Sequence, residues 1–291
     1  MRVLVIIVTY NGMQWIDKCL SSVFNSDLSL EVVVVDNNST DGTAHFIMKN
    51  YPRVYVIDQG ENLGFGRANN IGIKYALDQK ADFVYLLNQD AYLQKDTLSR
   101  LIKVSKANQM YGILSPMQYN GDGSKLDTHF KNNLPKAYNA SEDVVQTDFV
   151  MAAHWLITQK CIKKVGLFDP IFEHYGEDND YINRTVFHDF KVGICPKVIA
   201  YHDRVDRKLS RLRALDIFYR SKLALLTNIN LSFFKATTIF IQNIIPVICS
   251  TIINGRLGEI EVHVGHLQNI IKLKREIKLS RAKNRGLTKS D

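Results

Sequence analysis

Apolar runs and helix-spaced stretches alternate through the first half of the chain. Residues 3–8, 30–35, 54–57, 83–87 and 113–114 read as strands, and residues 13–24, 42–49, 66–78 and 95–107 carry apolar side chains at roughly helical spacing. Such alternation predicts β-α-β units around a parallel sheet. Beyond residue 206 the pattern turns helical, with predicted helices over 215–231, 233–253 and 259–279. Residues 1–205 therefore read as an α/β domain and 206–291 as a helical, basic extension.

An open parallel sheet places ligands just beyond the carboxyl ends of its strands, so the polar residues that close each apolar run carry the chemistry. The fourth run ends in Asn88-Gln89-Asp90, the first in Thr9-Tyr10-Asn11, and the second, after four consecutive valines, in Asp36-Asn37-Asn38-Ser39-Thr40-Asp41-Gly42. Short polar side chains also form turns and helix caps. Here they fall at adjacent strand ends, where a base and a ribose can be held. Asn62-Leu63-Gly64-Phe65-Gly66-Arg67 contains GxG but has Asn69 where a dinucleotide fingerprint needs a third glycine. Arg67 and the backbone N–H groups before the next helix suit an anion.

Glu177, Asp178 and Asp180 cluster at the start of a predicted helix, where the helix dipole favours negative charge. The aromatic approach through Phe172, His174, Tyr175 and Gly176 adds a wall suited to a sugar face. Residues 198–202 end in His202, and a histidine closing a strand is a reasonable metal ligand. The polar stretch 118–145 reads equally as a lid or as plain surface.

These motifs, in this order, resemble the inverting GT-A enzymes of glycosyltransferase family 2, in particular the rhamnosyltransferase-like branch of bacterial surface-polysaccharide assembly. The resemblance covers roughly residues 3–202. It implies a GT-A nucleotide-diphospho-sugar transferase fold, a Rossmann-like, mostly parallel sheet flanked by helices. It implies that Thr9, Tyr10, Asn11 and Asp36 hold the nucleotide and that Asn62, Gly64 and Asn69 line the ribose and diphosphate. Asn38, Arg67, Asn88 and Gln89 belong to the same nucleotide-sugar set. Asp90 resembles the last acid of a DxD motif and His202 its distant partner on Mg²⁺ or Mn²⁺. Asp178, or in second place Glu177, is the implied base that deprotonates the acceptor hydroxyl.

The chain departs from the family in two places. Asn88-Gln89-Asp90 keeps one of the two acids of a DxD, and the segment 150–154 replaces a usual glycine. There is no QxxRW motif, so one sugar per encounter is expected.

Charge and cysteine usage add to this picture. Four separated cysteines with no CxxC fit a reducing cytoplasm. The net charge of +8 is concentrated at the end of the chain, where residues 272–291 hold eight Lys or Arg against Glu276 and Asp291. Preceding them, residues 236–253 are 18 positions without a charge, but they include Gln242, Asn243 and Pro246. That reads as a buried or interfacial helix rather than a spanning one. With the basic end it predicts peripheral attachment to the inner face of the cytoplasmic membrane.

The expected partners are a dTDP- or UDP-sugar donor, by preference dTDP-rhamnose, and a lipid-linked saccharide acceptor. UDP-galactose or UDP-galactofuranose is the alternative donor. Nucleic acid is not expected, since no recognition motif is evident. Homo-oligomer formation is left open. A nucleotidyltransferase would need a Gly-rich basic loop after the first strand, which Thr9-Tyr10-Asn11-Gly12 does not supply. A non-catalytic, transferase-like membrane scaffold is the remaining rival.

Overall fold

A computed structural model describes residues 1–135, 138–204 and 209–286. Lys289 and Asp291 of the basic end, and the expected domain boundary at 205–206, lie outside the described residues. The chain forms two compact units. One comprises Met1–Phe168 and His188–Val205; the other comprises Asp169–Phe187 and Asp206–Asp291.

The first unit is built on a nine-stranded sheet. Strands β1 (Val3–Thr9), β2 (Glu31–Asp36), β3 (Tyr55–Asp58) and β4 (Phe83–Asn88) pair in the order β3-β2-β1-β4, all parallel. Val33, Val34 and Val35 are wholly buried, the mark of a strand covered on both faces. The covering helices include α1 (Met13–Phe24), α2 (Thr43–Asn50), α3 (Phe65–Asp78) and α4 (Thr97–Ala107). All four fall where apolar spacing places them, within two residues at each end.

Beyond β4 the sheet changes character. Of the remaining strands, β5 (Ala91–Leu93), β6 (Tyr111–Asn120), β7 (Val145–Gln146), β8 (His154–Thr158) and β9 (Lys191–His202), β8 enters beside β4 and runs antiparallel to it. β6 pairs antiparallel with β8 and parallel with β9, while β5 and β7 pair antiparallel with β9. The mostly parallel reading thus describes the half built on β1 to β4, and the other half is mixed. Segment 118–145 holds a tight turn, with the Asn120 N–H donating to the Lys125 carbonyl at 2.9 Å. A short helix, α5 (Thr128–Asn132), follows and is capped by the Asp127 side chain. The unit is completed by α6 (Gln159–Val165).

The second unit is helical: α7 (Glu177–Phe187), α8 (Arg211–Thr227), α9 (Phe233–Ile253), α10 (Ile260–Lys272) and α11 (Lys274–Asn284). Phe172, Tyr219, Phe240, Ile244 and Ile277 form its core. The single helix expected over 259–279 is two, meeting at Leu273, whose ψ of 1° leaves the helical range. Neither glycine nor proline marks that bend in the sequence. Two of the terminal cations have structural work here. Arg281, buried, donates to the carbonyls of Leu226, Asn228 and Leu231, and Arg285 donates to those of Ile229 and Leu231. They satisfy carbonyls at the end of α8 and in the turn that leads to α9. Arg281→Met is expected to lower stability by about 2–4 kcal/mol, because several charge-assisted bonds are lost and buried acceptors are left unpaired. Chemical denaturation of the full chain measures it.

Candidate active site

The carboxyl edge of the first unit's sheet gathers the polar residues by register. Thr9 lies opposite Asp36, and Val8 opposite Asn88, so three strand ends reach the same level. The Thr9 hydroxyl donates to Asp36 Oδ1 at 2.6 Å, Ser39 Oγ donates to the same oxygen at 2.6 Å, and the Ser39 N–H donates to Oδ2 at 2.8 Å. Three of the roughly four acceptor positions of the buried Asp36 carboxylate are thus taken, two by Ser39 of its own loop and one by Thr9 at the end of β1. Asp36 is first of all the organiser of this crevice.

The loops around it are held in unusual backbone conformations. Asn11 and Asn38 adopt left-handed φ values of 49° and 66°, which asparagine tolerates better than most residues. Asn11 Oδ1 accepts from the Thr40 N–H at 2.8 Å, tying the first loop to the second. Tyr10 remains 48% exposed, a ring standing free at the strand ends. Gln89 clamps this loop from the other side: its Oε1 accepts from the Tyr10 N–H at 2.9 Å and its Nε2 donates to the Tyr10 carbonyl at 3.2 Å.

On the third side, Asn62 Oδ1 accepts from the Gly64 N–H at 2.9 Å, and Gly64 takes a φ of 79° before α3. Asn69 is buried, with its amide donating back to the Phe65 carbonyl at 3.0 Å. Arg67 is exposed on the first turn of α3.

Asp90 follows β4, and the antiparallel pairing of β5 with β9 sets Ala91 opposite His202. His202 Nε2 consequently lies 3.2 Å from Asp90 Oδ1. Burial alone would raise the Asp90 carboxyl, but the His202 hydrogen bond and the charge of Arg204 carry it below the usual aspartate value. Arg204 Nη2 donates to His202 Nδ1 at 3.1 Å. Arginine only donates, so the ring proton stands on Nε2, toward Asp90. Behind this pair His154 is fully buried, with Nδ1 2.8 Å from the Tyr85 hydroxyl and Nε2 3.0 Å from the Tyr201 carbonyl. Its ring meets that of His202 edge-on at 6.5 Å. Burial, aided by His202, pushes the His154 imidazole down to about 3, so it is neutral.

His154 and Arg204 were not among the expected site residues. Arg204 carried a signal: two residues beyond His202 in extended chain, it projects to the same side. His154 was hidden because β8 is unrecognisable without its neighbours.

Among the described residues no three His, Cys, Asp or Glu side chains converge as a metal cage. Asp90 and His202 nevertheless supply one carboxylate and one imidazole, and the Asn88 Oδ1 is buried without a hydrogen-bond partner. A donor set so small suits Mg²⁺ or Mn²⁺ only if diphosphate and water complete the shell, the usual habit of Mg²⁺ at phosphate sites.

Glu177 and Asp178 open α7 in the second unit. Tyr175 and Gly176 precede them with consecutive left-handed φ values of 69° and 99°. Gly176 is also crowded, since a Cβ there would lie 3.1 Å from the Arg220 carbonyl oxygen. Glu177 is 5% exposed, and burial together with Asp178 raises its carboxyl to about 8. At neutral pH it holds a proton, while its half-buried neighbour Asp178 is a candidate carboxylate base. Asp180 has a different place: it is buried in an ion pair with Arg184 at 2.8 Å and accepts from the Thr227 hydroxyl at 2.8 Å.

The profile described as glycosyl transferase family 2 matches residues 4–166, more than half of the chain. The chain belongs to glycosyl transferase family 2. It is 25% identical over 210 residues to the low-salt glycan biosynthesis hexosyltransferase Agl10 of Haloferax volcanii, covering 69% of this chain and 66% of that one. It is 26% identical over 186 residues to the dTDP-rhamnosyl transferase RfbF of Shigella flexneri, covering 61% of each. An N-acetylglucosaminyl-diphospho-decaprenol L-rhamnosyltransferase of Mycobacterium tuberculosis is 28% identical over 129 residues, 41% of this chain and 42% of its own. The alignments therefore span less than two thirds of each of these relatives.

Solved structures share the fold. S. aureus TarS in complex with UDP superposes with a TM-score of 0.64 at 18% identity, covering 98% of this chain and 88% of that one. The mannosyltransferase PcManGT of Pyrobaculum calidifontis, in complex with GDP-Man and Mn²⁺, gives 0.62 at 18% identity, covering 98% and 84%. The fold of this family 2 member is accordingly that of the GT-A glycosyltransferases.

Proposed function

We propose that this family 2 protein is an inverting glycosyltransferase that moves rhamnose from dTDP-rhamnose to a hydroxyl of a lipid-linked saccharide, at the inner face of the cytoplasmic membrane, in cell-surface polysaccharide biosynthesis. The observation that carries the reading is the Asp90–His202 pair, 3.2 Å apart at the same sheet edge as Thr9 and Asp36. The named activities of two relatives support the rhamnosyl donor.

In this reading Tyr10 and Asn11 hold the base and ribose on loops that Asp36 and Gln89 keep in place. Asn38, Asn62, Gly64, Arg67, Asn69 and Asn88 line the remainder of the nucleotide sugar. Asp90 and His202 would hold Mg²⁺ or Mn²⁺, which would neutralise the charge that gathers on the departing diphosphate. For His202 to offer its Nε2 lone pair, its proton must pass to Nδ1, and Arg204 must release that atom. Asp178 takes the proton of the acceptor hydroxyl as its oxygen attacks the anomeric carbon, and the bond to the diphosphate breaks on the opposite face. One displacement inverts the centre. Glu177, already protonated, does not compete for that proton.

Melting curves with dTDP, UDP, GDP and CMP, each with and without Mn²⁺, test this on the wild type and on Asp90→Ala. Saturating dTDP with Mn²⁺ is expected to raise Tm by about 5 °C, and Asp90→Ala to abolish the metal-dependent part. A response to UDP instead would move the donor to a UDP-sugar such as UDP-galactose or UDP-galactofuranose. No response to any nucleotide from folded protein would leave the transferase-like scaffold as the better reading.

A further inference from the structure

The second unit carries a surface that glycosyl transfer itself does not need. Helix α9 is long and apolar enough to cross a membrane, yet only 22% of its most apolar window is buried. Its exposed residues are ordered. Phe234, Ile241, Ile245 and Ile252 follow at intervals of whole turns, and at ~100° per residue they point within about 20° of one direction along about 27 Å of helix. They are exposed by 82%, 44%, 50% and 60%. Ile253, the last residue of the helix, and Leu257 beyond it are exposed as well. No charged residue interrupts the helix after Lys235. A contiguous apolar stripe of this kind marks an interaction surface.

The other side of α9 is already committed. Phe240 and Ile244 pack with Leu215, Tyr219 and Ile277. Thr251 is fully buried, its hydroxyl donating to Glu259 at 3.1 Å and lying 3.0 Å from His263 Nε2. A bilayer span would expose those groups to lipid or strip them from the unit's core. One protein-facing side and one free apolar side instead describe a helix lying in the plane of an interface.

The surrounding charge selects the partner. From residue 209 to 286 there are 13 Lys or Arg against 4 Asp or Glu. Two copies of this chain apposed through the stripe would bring like charges together, whereas anionic headgroups attract them. We infer that the Phe234–Ile252 face of α9 is an in-plane docking surface for an anionic lipid bilayer. The inference deepens the proposed function by naming the surface through which the enzyme would reach a lipid-linked acceptor.

Flotation of the full chain with vesicles of phosphatidylcholine, with and without phosphatidylglycerol, tests it. The wild type is expected to float with the anionic vesicles. The double variant Ile241→Glu/Ile245→Glu, altered only at exposed positions, is expected to bind at least about tenfold more weakly. A second double variant, Ile241→Ser/Ile245→Ser, should weaken binding without adding charge. Both should keep the wild-type melting temperature and its response to nucleotide. That response belongs to the first unit, so failure of the donor reading and failure of docking are told apart. Absence of wild-type flotation, equal flotation of the variants, or a lipid-free wild-type dimer that the variants dissociate would overturn the inference, the last by giving the stripe to a second copy.

Discussion

Asp178→Asn is expected to lower turnover by about 10² to 10⁴ while leaving nucleotide binding and melting temperature near wild type, the loss typical of removing a general base. Glu177→Gln should behave otherwise. Glu177 is protonated at neutral pH because burial and the neighbouring Asp178 lift its carboxyl to about 8, and a neutral amide copies that state. Its turnover at pH 7 should stay within several-fold of wild type. The pair separates the two roles that adjacent acids leave ambiguous. Equal losses in both variants would mean that the proton acceptor had been assigned to the wrong residue.

Stability follows the same carboxyl. Between its ordinary value and about 8 the folded chain holds a proton that the unfolded chain has lost. Stability from this group is therefore present in acid and falls as pH rises through that window. Glu177→Gln should remove this part of the slope, which melting curves across pH would show.

Removing Arg184 should give the largest loss of stability. The Asp180–Arg184 pair is about 1% exposed on both sides, and breaking a buried pair from one side costs about 3–5 kcal/mol because a charge is stranded. For a chain of this size that is a fall in Tm of about 10 °C. Burial raises the Asp180 carboxyl even with Arg184 beside it. Without the arginine Asp180 should take up a proton more readily, so the deficit of Arg184→Met should shrink as pH falls. The double replacement Asp180→Leu/Arg184→Met should recover part of the loss. A deficit independent of pH would point to lost packing of the arginine stem instead.

The first four strands and four helices were legible because each pattern is local: runs such as Val32–Val35 need only their own side chains to declare burial on both faces. Strand β6 was legible only at Ile113 and Leu114. Ser115, Pro116 and Gln118 break its apolar run, and the structure accommodates them with a register shift between Pro116 and Met117. Strand β8 was not legible, since its buried His154 is satisfied by Tyr85 from β4 and a carbonyl from β9, partners no local window contains. The site divides in the same way. Asp90 and His202 announced themselves as polar ends of apolar runs. The bond from Arg204 to His202 is close in sequence but needs the strand's geometry to be seen, and the bond from Gln89 to the Tyr10 backbone exists only between elements.

That last bond has a bearing on inheritance. A Cβ on Gly12 would stand 2.3 Å from Gln89 Oε1. The amide could swing away, but only by releasing both of its bonds to Tyr10. Positions 12 and 89, 77 residues apart, thus form one unit of variation. Homologues with a larger residue at the first should lack glutamine at the second, and the middle letter of Asn-Gln-Asp is written by the opposite loop.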